Sequence, residues 1–251
     1  MAPRKGQPGR FLYKELAAEF RARIQAGELA PGVLLPSESA LMEQRGLARS
    51  TVRQAYDLLK TEGLAASRQG KGVYVLDPKK LVRNAQRRLS REVWEAGHSI
   101  WSVDLEGRDP DVELEVDEEM DAPERVAGVL GAPKVCRRRR VFSLDGRPLQ
   151  VATSYLASEL ARAAKVHRRD TGPGGMYARL DEIGRAPVDA KERIKSRVAM
   201  PDEIEILGLG SGACVLIIER TVKDAEGRIL EVNEMVLDAA KYILEYDFKL
   251  L

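Results

Sequence analysis

The stretch RSTVRQAYDLLKTEGLAASRQGKGVYV, residues 49–75, is the feature that most constrains the fold. Val52, Ala55, Tyr56 and Leu59 recur at the spacing of one apolar helix face. The opposite face opens with Arg49, Ser50, Thr51, Arg53 and Gln54, residue types that bond phosphates and base edges. This helix reads from about 49 to 62 and stops at Gly63. LAASRQGKGVYV then reads as two short strands around Gln69-Gly70-Lys71-Gly72. Glycine lets a backbone approach a groove closely, and Arg68 and Lys71 add charge. Taken singly, a basic helix start is a solvated face and a Gly hairpin is a turn. Their order, spacing and shared charge point to DNA. The helix start suits a major groove, and the hairpin tip suits phosphates or the adjacent minor groove.

The preceding residues supply the rest of a small helical head. Leu12, Leu16, Phe20 and Ile24 recur every four residues beside Ala17, which predicts a helix from about 11 to 26. Gly27 can end it, and Pro31-Gly32 makes a turn. Ser37 can cap a short helix with Leu41 and Met42 inward, and Gly46 breaks that helix. Two short helices joined by a tight turn containing Gly form a helix-turn-helix.

Charge separates this head from the remainder. Residues 1–91 hold 18 Lys and Arg against 8 Asp and Glu, while residues 92–251 hold 23 against 31, beneath a net charge of only +2. A basic head on an acidic remainder fits a polyanion-binding module joined to a different kind of domain. No apolar run approaches the roughly 18–20 residues needed to span a bilayer, so no membrane partner is expected. MAPRKGQPGRF has no apolar core behind its basic residues and is not a secretory signal. Cys136 and Cys214 form no CxxC motif and fit reduced, buried residues of a cytoplasmic protein. His98 and His167 are isolated, so no metal site is expected. No nucleophile–base pair or phosphate loop stands out, and neither catalytic residues nor a cofactor is assigned.

DPKKLVRNAQRRLSR, residues 77–91, has six basic residues. It reads as a basic linker (78–91) with some helical character, either a solvated tether or a contact to DNA backbone. The expected domains are 1–77 and 92–251. In the latter, VDLEGRDPDVELEV and KVCRRRRVFSL look like strands, the second alternating in period two. DGRPL (145–149) reads as a hairpin turn, and a second hairpin turns at Glu226-Gly227. APERVAGVLG, MYARLDEIG and PDEIEIL look helical. Strands joined by hairpins and interrupted by helices predict an α+β fold with an antiparallel sheet.

LPSESALMEQRGLARSTVRQAYDLLKTEGLAASRQGKGVYV (35–75) resembles the winged helix-turn-helix of GntR-type transcriptional regulators, a likeness covering roughly 11–76. The resemblance implies that Arg49 and Arg53 read DNA, that Ser50 and Thr51 bind phosphate, and that Gly70 is the wing tip between Gln69 and Lys71. Ser37, Gln54 and Arg68 complete the expected DNA-binding set. In two places the chain departs from the pattern. Ser39 stands where the family often has a basic contact, and Ala48 precedes Arg49 where a Ser cap is usual. Losing such a cap typically costs about 0.5–2 kcal/mol.

RRVFSLDGRPLQVATSYL (139–156), TGPGGMYARLDEIG (171–184) and ERTVKDAEGRILEVNEMVLDAAKYILEYDF (219–248) resemble the UTRA ligand-binding domain of the HutC branch. The likeness implies a chorismate-lyase-like fold with a six-stranded antiparallel sheet that binds a small effector and builds a homodimer. Arg140, Phe142, Ser154, Tyr155 and Glu231 are the effector candidates. For each, sheet packing or a surface ion pair is the alternative. Phe142 replaces the second arginine of the sugar-phosphate-binding members, Ala152 a common glutamate and Leu237 a common aromatic. A single arginine beside an aromatic suits one anionic group on an apolar body. Alternation must point two arginines of RRRR outward. The implied protein is a dimeric repressor on inverted DNA half-sites, released by a small molecule and working in the cytoplasm on nucleoid DNA. The rivals are an enzyme on the lyase-like fold and a DNA-binding dimer with no effector.

Overall fold

The computed structural model describes residues 9–68, 72–76, 80–97, 102–105 and 110–248. By its internal contacts the chain divides into two compact units, Met1–Lys79 with Val198–Cys214, and Lys80–Arg197 with Val215–Leu251. The sequence reading assigned 198–214 with 92–251. Contacts group it with the head, where Thr61 Oγ1 donates to Ser211 O at 3.2 Å.

In the first unit, α1 (Gly9–Gln25) buries Leu16, Ala17, Phe20 and Ile24. Leu12, predicted on the same face, is 39% exposed, so the buried stripe begins a turn later. α2 (Glu38–Arg45) starts at Ser37, whose Oγ accepts the Ala40 amide at 3.1 Å. It ends at Gly46, whose φ of 64° lets its amide return to Met42 O. α3 (Arg49–Thr61) presses Val52, Ala55, Tyr56 and Leu59 onto α1, with the Phe20 and Tyr56 rings 5.9 Å apart. The Tyr56 hydroxyl donates to Pro36 O and fixes the entry to α2. Arg21 reaches Glu62 with two hydrogen bonds of 2.8 and 2.5 Å. β1 (Ala65–Arg68) and β2 (Gly72–Val75) pair antiparallel from Ala65↔Val75 to Arg68↔Gly72. The Leu35 amide donates to Val73 O at 2.7 Å, stapling the chain before α2 to this hairpin.

The second unit begins with β3 (Leu81–Asn84), α4 (Ala85–Arg88) and α5 (Arg91–Glu95). The stretch expected as a linker is therefore structured. β3 pairs in parallel with β10 (Tyr242–Glu245), and Arg83 and Arg88 are each 1% exposed. A free tether would keep such charges in water; here buried carboxylates receive them. Then follow β4 (Asp111–Asp121), α6 (Glu124–Leu130), β5 (Lys134–Leu144), β6 (Arg147–Ala157), α7 (Ser158–Ala163), α8 (Gly175–Glu182) and β7 (Asp189–Val198). α9 (Pro201–Leu207), grouped with the head, precedes β8 (Cys214–Lys223) and β9 (Ile229–Asp238). Residues 103–105, expected as strand, lie in a 3-10 turn (Ser102–Leu105) instead, and Asp104 in that turn pairs with Arg88.

Six strands form one sheet in the order β4-β5-β6-β9-β8-β7. The β4–β5, β5–β6, β6–β9 and β8–β9 pairs are antiparallel. Asp145 and Gly146 both take positive φ, 53° and 71°, as a two-residue hairpin turn with right-handed strand twist requires. Period two then splits the sheet into two faces. Val126 of α6, Val135, Tyr155 and Val232 pack on one. Cys136, Leu156 and Val222 on the other face pack with Trp94, Tyr177 and Leu180.

Candidate functional site

Two sets of charged residues stand out. The first is the start of α3, where Arg49, Ser50, Arg53 and Gln54 are exposed together. The Arg49 and Arg53 side chains are 64% and 68% exposed. Both lean on Glu38, which lies 3.3 Å from Arg49 Nε and 3.9 Å from Arg53 Nε. One exposed carboxylate thus holds two mobile guanidiniums side by side without desolvating them. Ala48 at the N-cap makes no side-chain cap bond, and of the first-turn amides that of Thr51 turns back to Ala48 O at 3.0 Å. Two of the expected residues sit differently. Thr51 is only 8% exposed, on the buried side of α3, because position 51 adjoins Val52 and Ala55 in the inward stripe. Ser37 spends its Oγ on capping α2. Gln69, Gly70 and Lys71 lie outside the described residues, as does the Arg68 side chain.

The second set lines a cavity of about 430 Å³ over the face of the large sheet that carries Arg140. Strand register builds its floor. Arg138 is opposite Ser154, Ser154 opposite Asn233, and Asn233 opposite Arg220, so one polar row crosses β5, β6, β9 and β8. The next row runs Arg140, Ala152, Met235 and Ile218. Arg140 Nη2 donates to Ser154 Oγ at 2.6 Å, which also accepts Asn233 Nδ2 at 3.1 Å. Asn233 Nδ2 reaches Glu231 Oε1 at 3.1 Å, and the Tyr177 hydroxyl donates to Glu231 Oε2 at 2.7 Å. Phe142 lies under Arg140, with the guanidinium carbon 5.9 Å from the ring centre.

Of the effector candidates, Arg140, Phe142 and Glu231 line the cavity, and Ser154 supports it from the same face. Tyr155 does not belong with them. Pleating sends it to the opposite face, against Val126, Val135 and Val232. The same rule sorts RRRR. Arg137 and Arg139 face away and pair with Asp117 and Glu115, while Arg138 and Arg140 line the cavity. Sequence reasoning missed Arg138, Tyr177, Arg220 and Asn233. The alternation that accepts Arg140 and Ser154 requires Arg138, and the second hairpin places Asn233 beside Arg220. Tyr177 arrives on α8, and no periodicity within the strands marks it.

The cavity holds more arginines than the sequence suggested, but most are engaged. Arg138 Nη1 donates to the Val166 and Arg168 carbonyls, the first at 2.7 Å, and Nη2 to Arg169 O at 3.0 Å. Burial pulls its pKa down to about 10, helped by the neighbouring charge of Arg140. Arg88 pairs with Asp104 at 3.0 Å, and Arg169 donates to Leu114 O at 2.7 Å. Arg220 Nε donates to Glu192 at 2.8 Å. Arg140 has no acid or carbonyl bonded to it, only Ser154 Oγ. Its Nε is buried with no hydrogen-bond partner among the described residues, as are Asn233 Oδ1 and Arg220 Nη2, though the last lies 2.8 Å from the Glu192 carboxylate. Burial lowers the Arg140 pKa, and nearby Glu231 and Tyr177 oppose that shift. Gly174, at φ +74°, shapes the rim. A Cβ there would fall 2.3 Å from the Trp94 carbonyl, so only glycine lets α8 start this close to α5.

A small winged helix-turn-helix head and, in the same chain, a sheet domain with a polar cavity together define a ligand-responsive class of DNA-binding protein. Comparison with known families agrees. Residues 12–75 match the gntR family of bacterial regulatory proteins, and residues 105–243 match the UTRA domain. The chain is 32% identical over 221 residues to the HTH-type transcriptional regulator Rv0792c of Mycobacterium tuberculosis, covering 87% of this chain and 78% of that protein. It is 28% identical over 237 residues to the HTH-type transcriptional repressor NagR of Bacillus subtilis, covering 92% of each. The crystal structure of PhnF from Mycobacterium smegmatis shares the fold at a TM-score of 0.57 and 21% identity, over 93% of this chain and 98% of that one. The chain belongs to the GntR family of bacterial regulatory proteins, in the branch that carries a UTRA domain. It is a DNA-binding transcriptional regulator, in a family of regulators and not of enzymes.

Proposed function

We propose that this regulator is a homodimeric repressor that holds inverted operator half-sites through Arg49, Arg53 and the wing, and is released by a small molecule bound over Arg140. NagR is named a repressor, which supports the direction of control. The operator symmetry follows from the general need of single heads of this size to gain specificity as dimers on paired half-sites. Among the described residues no helix is long and apolar enough to cross a membrane, which accords with action in the cytoplasm on chromosomal DNA.

The observation that carries the ligand reading is the buried, unpartnered Nε of half-buried Arg140, a residue lining a cavity of about 430 Å³. Val112, Leu114, Phe142 and Met235 give that cavity apolar walls. One free guanidinium edge with one free acceptor, Asn233 Oδ1, fits a ligand with a single anionic group, an apolar body and one N–H or O–H donor. Sugar phosphates, which suit two free arginines, are expected to bind poorly. Gel shifts on the DNA upstream of the protein's own gene, with aromatic and aliphatic carboxylates set against hexosamine phosphates, test this. Arg140→Ala should keep operator binding and lose release by the carboxylate. A coupling of about 1–3 kcal/mol makes that release about 5–150-fold in affinity. Full release of the Arg140→Ala protein, or release of the unaltered protein by micromolar sugar phosphate, contradicts the assignment.

A further inference from the structure

The cavity floor does not end at Arg220. Glu192, on edge strand β7, accepts Arg220 Nε at 2.8 Å through Oε1. The same carboxylate accepts Arg83 Nη2 at 2.6 Å through Oε1 and Arg83 Nη1 at 2.9 Å through Oε2. Arg83 belongs to β3, the first strand after the DNA-binding head in the chain. Arg220 itself lines the cavity, as do Tyr177 and Glu231, whose hydroxyl and carboxylate are bonded at 2.7 Å. A hydrogen-bonded path therefore runs from Arg220 on the cavity floor through Glu192 to Arg83. Every side chain on it is nearly buried, with 0% exposure for Arg83, 1% for Arg220 and 9% for Glu192. Such a pair of guanidiniums on one carboxylate is a competition, because tightening either cation's hold on Oε1 weakens the other's.

We propose that Glu192 is a positioning residue that reports occupancy of the effector cavity to the strand leaving the DNA-binding head. An anion bound at Arg140 and Asn233 lies beside Arg220, the register partner of Asn233, and draws that guanidinium toward itself. Glu192 is then left to Arg83, and β3 is held more tightly. Few other side-chain bonds tie β3 down among the described residues. Asn84 Nδ2 donates to Asp247 Oδ2 at 2.7 Å, Asn84 Oδ1 accepts the Arg87 amide at 3.1 Å, and backbone pairing joins β3 to β10. The inference rests on the ligand reading above for its trigger, but the contest for Glu192 is present without ligand and is tested without it.

The test is amide hydrogen exchange of residues 81–88 in the full-length protein, compared among single and paired variants. Arg220→Met removes the cavity-side competitor, so exchange in 81–84 should slow about threefold or more, the size expected for residues in one ion-pair network. Arg83→Met should speed it. In a Glu192→Gln background, Arg220→Met should have no further effect on 81–84. Arg220→Lys, which keeps the charge but loses the fork, guards against a folding defect in Arg220→Met and should give an intermediate slowing. Unchanged exchange in folded Arg220→Met and Arg220→Lys proteins overturns the proposal. So does an Arg220→Met effect that persists in full with Gln at 192. Slowing by Arg220→Met together with failure of every carboxylate to bind would instead leave this relay standing and reject the ligand reading.

Discussion

The arginines at the start of α3 and those around the cavity carry the same charge in opposite settings. Arg49 and Arg53 are about two-thirds exposed and share one exposed carboxylate, Glu38. Arg83, Arg88 and Arg220 are 0–1% exposed, each on a buried acid. The exposed pair stays solvated, so its contest with DNA phosphates is cheap and screened by salt. The buried set cannot leave its partners without leaving charge unpaired in a poor solvent. Mobile charge suits a polyanion met by diffusion, and fixed charge suits a small ligand that must be told from its relatives.

The largest effect should come from breaking the buried side. Arg138→Met strands the Val166, Arg168 and Arg169 carbonyls that the guanidinium now satisfies. The expected loss is on the order of 3 kcal/mol. For a chain of this size that lowers Tm by about 6–12 °C, and a calorimetric shift below about 2 °C would show that the carbonyls find other donors. Next in size is the exposed side. Arg53→Ala should weaken specific operator binding by about 1–3 kcal/mol, or 5–150-fold at fixed salt, while Tm stays unchanged. Equal affinity by fluorescence anisotropy would move the reading contact elsewhere on α3.

Acid sharpens the contrast further. Burial by itself would raise the Glu192 carboxyl, but the bonds and charges of Arg83 and Arg220 outweigh it and hold the pKa at about 2, below the usual 4.5. The Tyr246 hydroxyl is also within electrostatic reach of Glu192. A depressed carboxylate contributes stability that is full above about 4.5 and lost as pH falls through about 2. Urea unfolding should therefore show the unaltered protein more stable than Glu192→Gln at pH 6, with the gap closing toward pH 2. A gap independent of pH would mean that charge is not the source. The smallest effect belongs to Glu38→Gln. Releasing an exposed ion pair is worth about 0.2–1 kcal/mol, so DNA binding should tighten up to about fivefold at low salt and the gain should fade as salt rises. Weaker binding would instead make Glu38 an organiser of Arg49 and Arg53.

The head was the more legible half. The stripe of Val52, Ala55, Tyr56 and Leu59 is local, and its period alone placed α3 to within a residue of its observed end. Thr51 escaped because a helix face has no sharp edge, and a residue beside the stripe can be covered by the turn above. In the sheet domain, KVCRRRRVFSL and the Asp145-Gly146 turn gave β5 and its hairpin directly. Tyr155 was misplaced although the pleat forbids neighbours on one face. Residues 103–105 read as strand, yet Asp104 is claimed by Arg88 from a distant segment.

Periodicity, turn residues and charge asymmetry belong to the sequence by itself. They determined a helix-turn-helix with a wing, an α+β partner domain, and which arginines of RRRR share a face. Tertiary structure alone decided which arginine has no acid or carbonyl bonded to it. Arg138, Arg88, Arg169 and Arg220 are engaged by carbonyls and acids from segments distant in the chain, while Arg140 bonds Ser154 and keeps its Nε open. Local pattern fixes where a side chain points, because that depends on backbone geometry within a few residues. Whether its charge is already neutralised depends on groups that meet only when distant segments close together, and no neighbour in the sequence carries that information.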